Sequence, residues 1–176
     1  MSLKYAVLAV LAHQDRTGYE LTCKIDGSVA NFWPATHQQI YLELKKLLKD
    51  GLVHCREKKQ RKKPDKKIYS LSETGLIALK AWIAAPIEPT PVKDVILVKL
   101  FAGHRVDKQI LCEELLRHEK KHKAKLLEYI AIENQYFPHK KIQNDLLYQY
   151  LTLQKGILYE KYCLKWLKQT IKKLAK

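Results

Sequence analysis

Near the end of the chain, positions 146, 150, 153, 157, 160, 164, 167, 171 and 174 follow one another in alternating steps of four and three. Their residues are Leu, Tyr, Leu, Ile, Glu, Leu, Leu, Ile and Leu, so eight of nine are apolar or aromatic. Such spacing is a heptad seam, and only a long continuous helix, here from about Lys141 to Ala175, lines it up. A helix of that length cannot bury the seam by itself. It must pack on the helical stretch before it, on a second chain, or on both.

The stretch before it supplies a neighbour. Asp107 can cap a helix running to about Phe137, and Pro138 stops it. Lys93 to Ala102 also reads as helical. Pro86, Pro89 and Pro91 mark a composition break, which divides the 176 residues into an N-terminal domain, 1–85, and a C-terminal helical domain, 92–176. With 47% hydrophobic residues and only 6 Gly and 6 Pro, both halves can build a core from regular elements.

The N-terminal half reads helix, helix, helix, strand, loop, strand, helix. Leu3 to Ala12 is a short buried helix ended by His13-Gln14-Asp15-Arg16. Thr17-Gly18-Tyr19-Glu20 and Thr36-His37-Gln38-Gln39 are capping boxes that open the second and third helices. The second runs to about Asp26, with Gly27 as its stop. The third carries Ile40, Leu44, Leu47 and Leu48 as an apolar stripe, and Gly51 suits the left-handed position after it. Two β-prone runs follow, Leu52–Arg56 and Lys67–Leu71, and Ser72 then caps a fourth helix to about Ala85.

Between the β-prone runs the charge is extreme. Arg56, Lys58, Lys59, Arg61, Lys62, Lys63, Lys66 and Lys67 place eight cations in twelve residues, against Glu57 and Asp65. A helix-turn-helix followed by a hairpin with a basic tip is the winged-helix arrangement. Duplex DNA carries about one phosphate charge per ~1.7 Å, so such a tip can displace several counterions. On the third helix, Thr36, His37, Gln38, Gln39, Tyr41, Lys45 and Lys46 lie near the first turns, where glutamine can pair with adenine and lysine or tyrosine can reach phosphate. The whole-chain excess of +15 at pH 7, with pI about 9.6, fits a polyanionic partner.

These residues resemble a known family. Thr17-Gly18-Tyr19-Glu20-Leu21, Phe32-Trp33, Gln39-Ile40-Tyr41 with Leu44 and Leu47, Gly51-Leu52-Val53, and Lys67-Ile68-Tyr69-Ser70-Leu71-Ser72 through Gly75 to Trp82 follow the order and spacing of PadR-type regulators over roughly 1–85. The resemblance implies a winged-helix DNA reader. It carries base or backbone contact onto Gln39, Tyr41 and Lys45, and wing contact onto Lys62, Lys63 and Lys66. It also implies that the helical tail forms the dimer, and the two long helices are similar to the longer-tailed subgroup. Thr17 stands where the family often has His, Leu42 where a Pro usually follows the tyrosine, and Asp65-Lys66 where Pro-Arg is more usual.

Other patterns carry less. His118-Glu119-Lys120-Lys121-His122 matches H-E-x-x-H, but it sits in a strongly cationic stretch with no evident third ligand, so an exposed charged helix turn is expected rather than a metal site. Glu114 with His118 and Glu119 with Lys123 are ordinary helical pairs. His54 and Cys55 adjoin on a strand and point to opposite faces. Cys23, Cys112 and Cys163 fall within apolar-periodic helix and read as small buried hydrophobes, and no cysteine pair has metal or disulfide-scaffold spacing. Trp33 and Trp82 read as core, with Trp166 a further candidate to line a pocket. No catalytic signature appears, and neither an enzyme nor a cofactor is expected. The apolar start, Met1 to Ala12, is too short for a leader and no run approaches ~18 apolar residues, so a cytoplasmic protein without a membrane partner is expected.

The expectation is therefore a mainly α fold with a small β-hairpin: an N-terminal winged helix-turn-helix domain plus a C-terminal helical dimerisation domain. The function expected is a homodimeric regulator, by default a repressor, that binds double-stranded DNA at a pseudo-palindromic operator. Tyr150, Leu153, Ile157, Leu164, Leu167 and Ile171 hold the dimer, and any small-molecule effector is unidentified. Two rivals remain: a winged-helix protein-interaction module without specific DNA binding, and charge-driven binding of RNA or of nucleic acid at large.

Overall fold

The computed structural model describes residues 3–26, 33–59, 66–89, 91, 93–138 and 144–175. The chain divides into two compact units, Met1–Thr90 and Pro91–Lys176. No described helix is long and apolar enough to cross a membrane.

The first unit comprises α1 (Leu3–Leu11), β1 (Arg16–Thr17), α2 (Gly18–Asp26), α3 (His37–Lys49), β2 (Val53–Lys58), β3 (Lys66–Leu71) and α4 (Glu73–Ala84). Its core is one cluster in which α1 gives Val7, Leu8, Val10 and Leu11, α2 gives Leu21 and Ile25, α3 gives Ile40, Leu44 and Leu47, and the strands and α4 give Leu52, Val53, Tyr69 and Leu79. The helix period explains the choice, since each helix contributes positions three and four apart. Leu48, expected in the α3 stripe, is 42% exposed instead. At about 100° per residue it falls some 80° from Ile40, outside the face that Leu44 and Leu47 share. Cys23 is likewise exposed rather than buried, while the other three cysteines are half-buried thiols, and no described cysteine is bridged. Trp82 packs on the core, with its ring stacked on Tyr5 at 4.5 Å.

The expected two-strand hairpin is a three-stranded antiparallel sheet, ordered β1-β3-β2. Arg16, read in sequence as the tail of a helix stop, and Thr17, read as the cap of the second helix, pair with Tyr69 and Ile68 and close the second edge of β3. Two residues are too few to announce a strand by alternation.

The joint between α3 and the sheet is tight. Gly51 takes φ +68°, the left-handed conformation that lets the chain turn out of α3. The backbone N–H of Leu52 then donates to the Leu47 carbonyl (2.9 Å). Ser72, buried, donates its hydroxyl to the Gly51 carbonyl (2.7 Å) and accepts from the Gly75 N–H (2.9 Å), so the α4 cap also ties down the end of α3. A Cβ at Gly75 would meet the Leu52 carbonyl and lie 2.9 Å from Leu71 Cδ1, so only glycine allows α4 this close to β2.

The second unit comprises α5 (Val95–Phe101), a 3-10 turn (Gly103–Arg105), α6 (Lys108–Tyr136) and α7 (Asn144–Leu174). Asp94 and Asp107 cap α5 and α6 through the N–H groups of Ile96 and Gln109. The seam on α7 packs along α6 within the chain. Ile157 and Leu167 are 2% and 1% exposed, whereas Tyr150, Leu153, Leu164 and Ile171 are half-buried. Gly156 lets Tyr129 pack close, since a Cβ there would lie 2.9 Å from Tyr129 Cε2. The single acid in the seam, Glu160, is buried and meets His122 Nδ1 at 2.5 Å. Both the seam's break and the second histidine of H-E-x-x-H thus have one explanation: they are partners across the helix pair.

Candidate nucleic-acid interface

The start of α3 is held by the expected capping box. Thr36 accepts the Gln39 N–H at 3.2 Å, and the Gln39 side-chain carbonyl accepts the Thr36 N–H at 2.8 Å. Gln39 therefore spends its acceptor on the helix end, which leaves its amide –NH2 to donate outward. Its neighbours are open: His37, Gln38, Tyr41, Lys45 and Lys49 are exposed. From helix geometry, Gln38, Tyr41, Lys45 and Lys49 lie within about 80° of one another, opposite the buried face. Lys49 extends this face by one turn and was not singled out from sequence, although its spacing of four from Lys45 carried the signal.

Tyr41 is fixed by α2. A Cβ on Gly18 would lie 2.5 Å from Tyr41 Cε1, so the ring rests on the glycine backbone and stays 42% exposed. Gly18 also opens α2, whose own capping box is formed. Glu20 accepts the Thr17 N–H at 2.9 Å, and the Thr17 hydroxyl accepts the Glu20 N–H at 3.2 Å. Those Thr17 contacts hold the Glu20 carboxyl below its ordinary range, and the charges of Lys66 and Arg16 lower it further. Burial, the Cys55 thiol and then Tyr41 push the Tyr69 hydroxyl up. The structure thus brings Tyr41, Gly18, Glu20, Tyr69 and Lys66 into one neighbourhood.

The wing stem is well defined. β2 and β3 pair through six residues, from Val53 with Leu71 to Lys58 with Lys66. Inner charges are matched, Arg56 with Asp15 at 3.3 Å and Lys67 with Glu57 at 3.6 Å, all largely exposed. The outermost pair sets Lys58 against Lys66, two like charges directly opposite, and neither forms an ion pair among the described residues. Directly opposed like charges destabilise a hairpin, and the attraction between Lys66 and the Glu20 carboxylate offsets part of that cost. Lys62 and Lys63 lie outside the described residues, as do Arg61 and Asp65; so do Gly27 and Phe32 of the second-helix region.

The H-E-x-x-H segment holds no metal cluster among the described residues. Its histidines turn to carboxylates, His118 to Glu114 at 3.6 Å and His122 to Glu160. Sequence reasoning missed that Glu114 chiefly serves Arg117 (2.7 Å) and Lys99 of α5 (3.0 Å). Those two cations hold its carboxyl down at about 2. The described parts of both units offer exposed cations and capped helix ends, an arrangement suited to binding.

Comparison with known proteins agrees. Residues 7–81 match the model of the PadR-like family of transcriptional regulators, and residues 92–175 match the C-terminal model of virulence activator alpha proteins. A probable transcriptional regulator of Mycobacterium tuberculosis is 33% identical over 99% of this chain and 98% of its own. The negative transcriptional regulator PadR of Bacillus subtilis is 31% identical with the same coverage. The crystal structure of that PadR in complex with operator DNA superposes with a TM-score of 0.88 at 29% identity, covering 98% of each chain, and the same protein is known in complex with p-coumaric acid. The Vibrio cholerae virulence activator AphA superposes at 0.83 with 27% identity, covering 99% of this chain and 98% of its own. The chain therefore belongs to the PadR-like family of transcriptional regulators.

Proposed function

We propose that this protein is a sequence-specific regulator that binds duplex DNA as a homodimer at a pseudo-palindromic operator and represses by occupying a promoter. In this reading residues 1–85 are the DNA-binding domain and 92–176 the dimerisation domain. α3 enters the major groove. Gln38 faces base edges, while Thr36, His37, Tyr41 and Lys45 reach the groove walls and Gln39 donates from its amide. Lys66, with Lys62 and Lys63 of the loop, grips the backbone. One observation carries the reading: the exposed face of α3 stands on the same sheet-bearing unit as the opposed Lys58–Lys66 pair, whose repulsion a phosphate backbone relieves. The operator complex of the Bacillus subtilis relative supports the DNA partner, and that relative's role as a negative regulator supports repression. Its complex with p-coumaric acid supports response to a small-molecule effector.

For the dimer, Tyr150, Leu153, Ile157, Leu164, Leu167 and Ile171 act first by holding α7 on α6. Ile157 and Leu167 are already closed inside the chain, so a second copy would meet exposed residues of α7 such as Tyr148, Tyr159 and Tyr162. The test is a titration of the purified chain against a fragment of its own upstream region and a random duplex, at several salt concentrations. Affinity should fall steeply with salt. Replacing Lys62, Lys63 and Lys66 by Gln removes up to six contacts from the two wings of a dimer and should reduce the log–log slope by roughly 5, and Gln38→Ala should narrow the gap between specific and random DNA. Equal affinity for both duplexes overturns sequence specificity. A monomeric mass in sedimentation, bound and free, overturns the homodimer.

A further inference from the structure

The basic excess of this chain does not sit mainly on the wing-bearing unit. Residues 91–176 hold 18 of the 33 lysines and arginines but 9 of the 18 acids, an excess of nine against six for residues 1–90. Much of it is ordered. Lys161, Lys165, Lys168 and Lys172 are spaced by four, three and four on α7, and all are exposed. At about 100° per residue they fall within about 60° of one another, on a flank some 110° from the buried seam, and run about 16 Å along the helix.

None of these lysines forms an ion pair among the described residues. The α6–α7 pair is antiparallel, as the contacts of His122 with Glu160 and Glu133 with Gln154 require. Side chains displaced in the same rotational sense from the contact line of an antiparallel pair emerge on the same face. Lys123, also exposed, is displaced on α6 in that sense by a similar angle and joins the stripe, where Glu119 is the nearby acid.

We propose that this lysine face is a second, sequence-independent binding surface for the phosphate backbone of duplex DNA. The inference rests on the reading that the protein binds duplex DNA. Lysine ammoniums are point charges suited to single phosphates, without the fork that arginine uses for paired recognition of carboxylates or bases. Over the three turns from 161 to 172 the stripe is lysine throughout, with no acid among the four, which matches the continuous charge of a duplex backbone. Exposed Leu158 and Tyr162 lie beside it, so the vesicle arm of the test separates a membrane surface from duplex DNA.

The test compares the full chain with a variant carrying Lys161→Gln, Lys165→Gln, Lys168→Gln and Lys172→Gln, and with one carrying Arg at the same four positions. The probe is a 40-base-pair random duplex. Four lost phosphate contacts should reduce the log–log salt slope by about 3.6 for each protomer whose lysine face touches the duplex. Raising salt from about 50 to 200 mM should then weaken the unmodified chain at least about a hundredfold more than the Gln variant. The Arg variant should keep the steep slope, and helix content should match in all three. A Gln variant with the unmodified slope overturns this proposal alone. Lysine-dependent capture by phosphatidylserine vesicles or polyglutamate, with the duplex slope unaltered, overturns it too. Absence of any duplex binding by the unmodified chain overturns both this surface and the reading beneath it.

Discussion

The two units of this chain solve the burial problem in different ways. In the first, thirteen buried residues from four helices and the sheet form one cluster, and long-range pairing ties strands together that are far apart in sequence. In the second, the cluster around Ile96, Leu115 and Leu167 has three buried members among the described residues, and most of the remaining burial is spread along one helix pair. A two-helix hairpin has one line of contact, so large apolar side chains of α7 remain outside, Tyr148 75% and Tyr162 68% exposed. The difference teaches that the first unit is dictated by close packing, and the second by a periodic seam that leaves surface to spare.

The largest expected effect tests the close packing. Gly75→Ala sits in a helix, where alanine normally stabilises by about 1 kcal/mol. Here the added methyl meets the Leu52 carbonyl, and the substitution should instead destabilise the first unit by about 3 kcal/mol. In calorimetry the transition of the first unit should drop while helix signal from α6 and α7 persists. A neutral or stabilising result would show that the α4–β2 joint yields.

Next come two equivalent truncations. Leu44→Ala, at 0% exposure in the thirteen-residue cluster, should cost about 4 kcal/mol, and Leu167→Ala, at 1% in the thin cluster, about 2 to 3, because the helix pair can close on the gap. Denaturant midpoints of the two variants read this directly, and equal losses would erase the contrast between the units.

A smaller effect concerns the polar pair in the seam. Glu160→Ala leaves His122 half-buried without its partner and should cost about 1 to 2 kcal/mol, seen as a lower thermal midpoint of the second unit. Adding His122→Leu should restore most of it, since removing both partners avoids the unpaired group.

The smallest effect is electrostatic. Glu114 has its folded carboxyl lowered to about 2 by Arg117 and Lys99, from an ordinary value near 4.5. A lowered folded value favours folding above the ordinary value, and that contribution fades as pH falls toward 2. Glu114→Gln should therefore lower stability slightly at pH 7 and make no difference near pH 2. A stability gap that persists at pH 2 would assign Glu114 a packing role instead.

Much of the candidate site was legible before any coordinates. The Thr36–Gln39 and Thr17–Glu20 capping boxes are local, so spacing alone placed them, and Gly51 was required by its position after α3. Tyr41's seat on Gly18 was not legible, because it joins residues from different helices. Nor was β1, a strand of two residues. Leu48 and Cys23 were placed inside by periodicity and lie outside, since a short apolar stripe does not define its own edge to within one residue.

By itself, then, the sequence determined what depends on neighbours within a turn or a strand: where helices start, where glycine must bend the chain, which stripe of α7 seeks cover, and how charge crowds the wing. Tertiary structure decided what depends on distant residues meeting. It chose α6 as the cover for Ile157 and Leu167, set His122 against Glu160, and brought Lys99 of α5 to Glu114. The reason is physical: propensity and periodicity are short-range properties of the chain, whereas burial and ion pairing are settled only when separate segments compete for the same space.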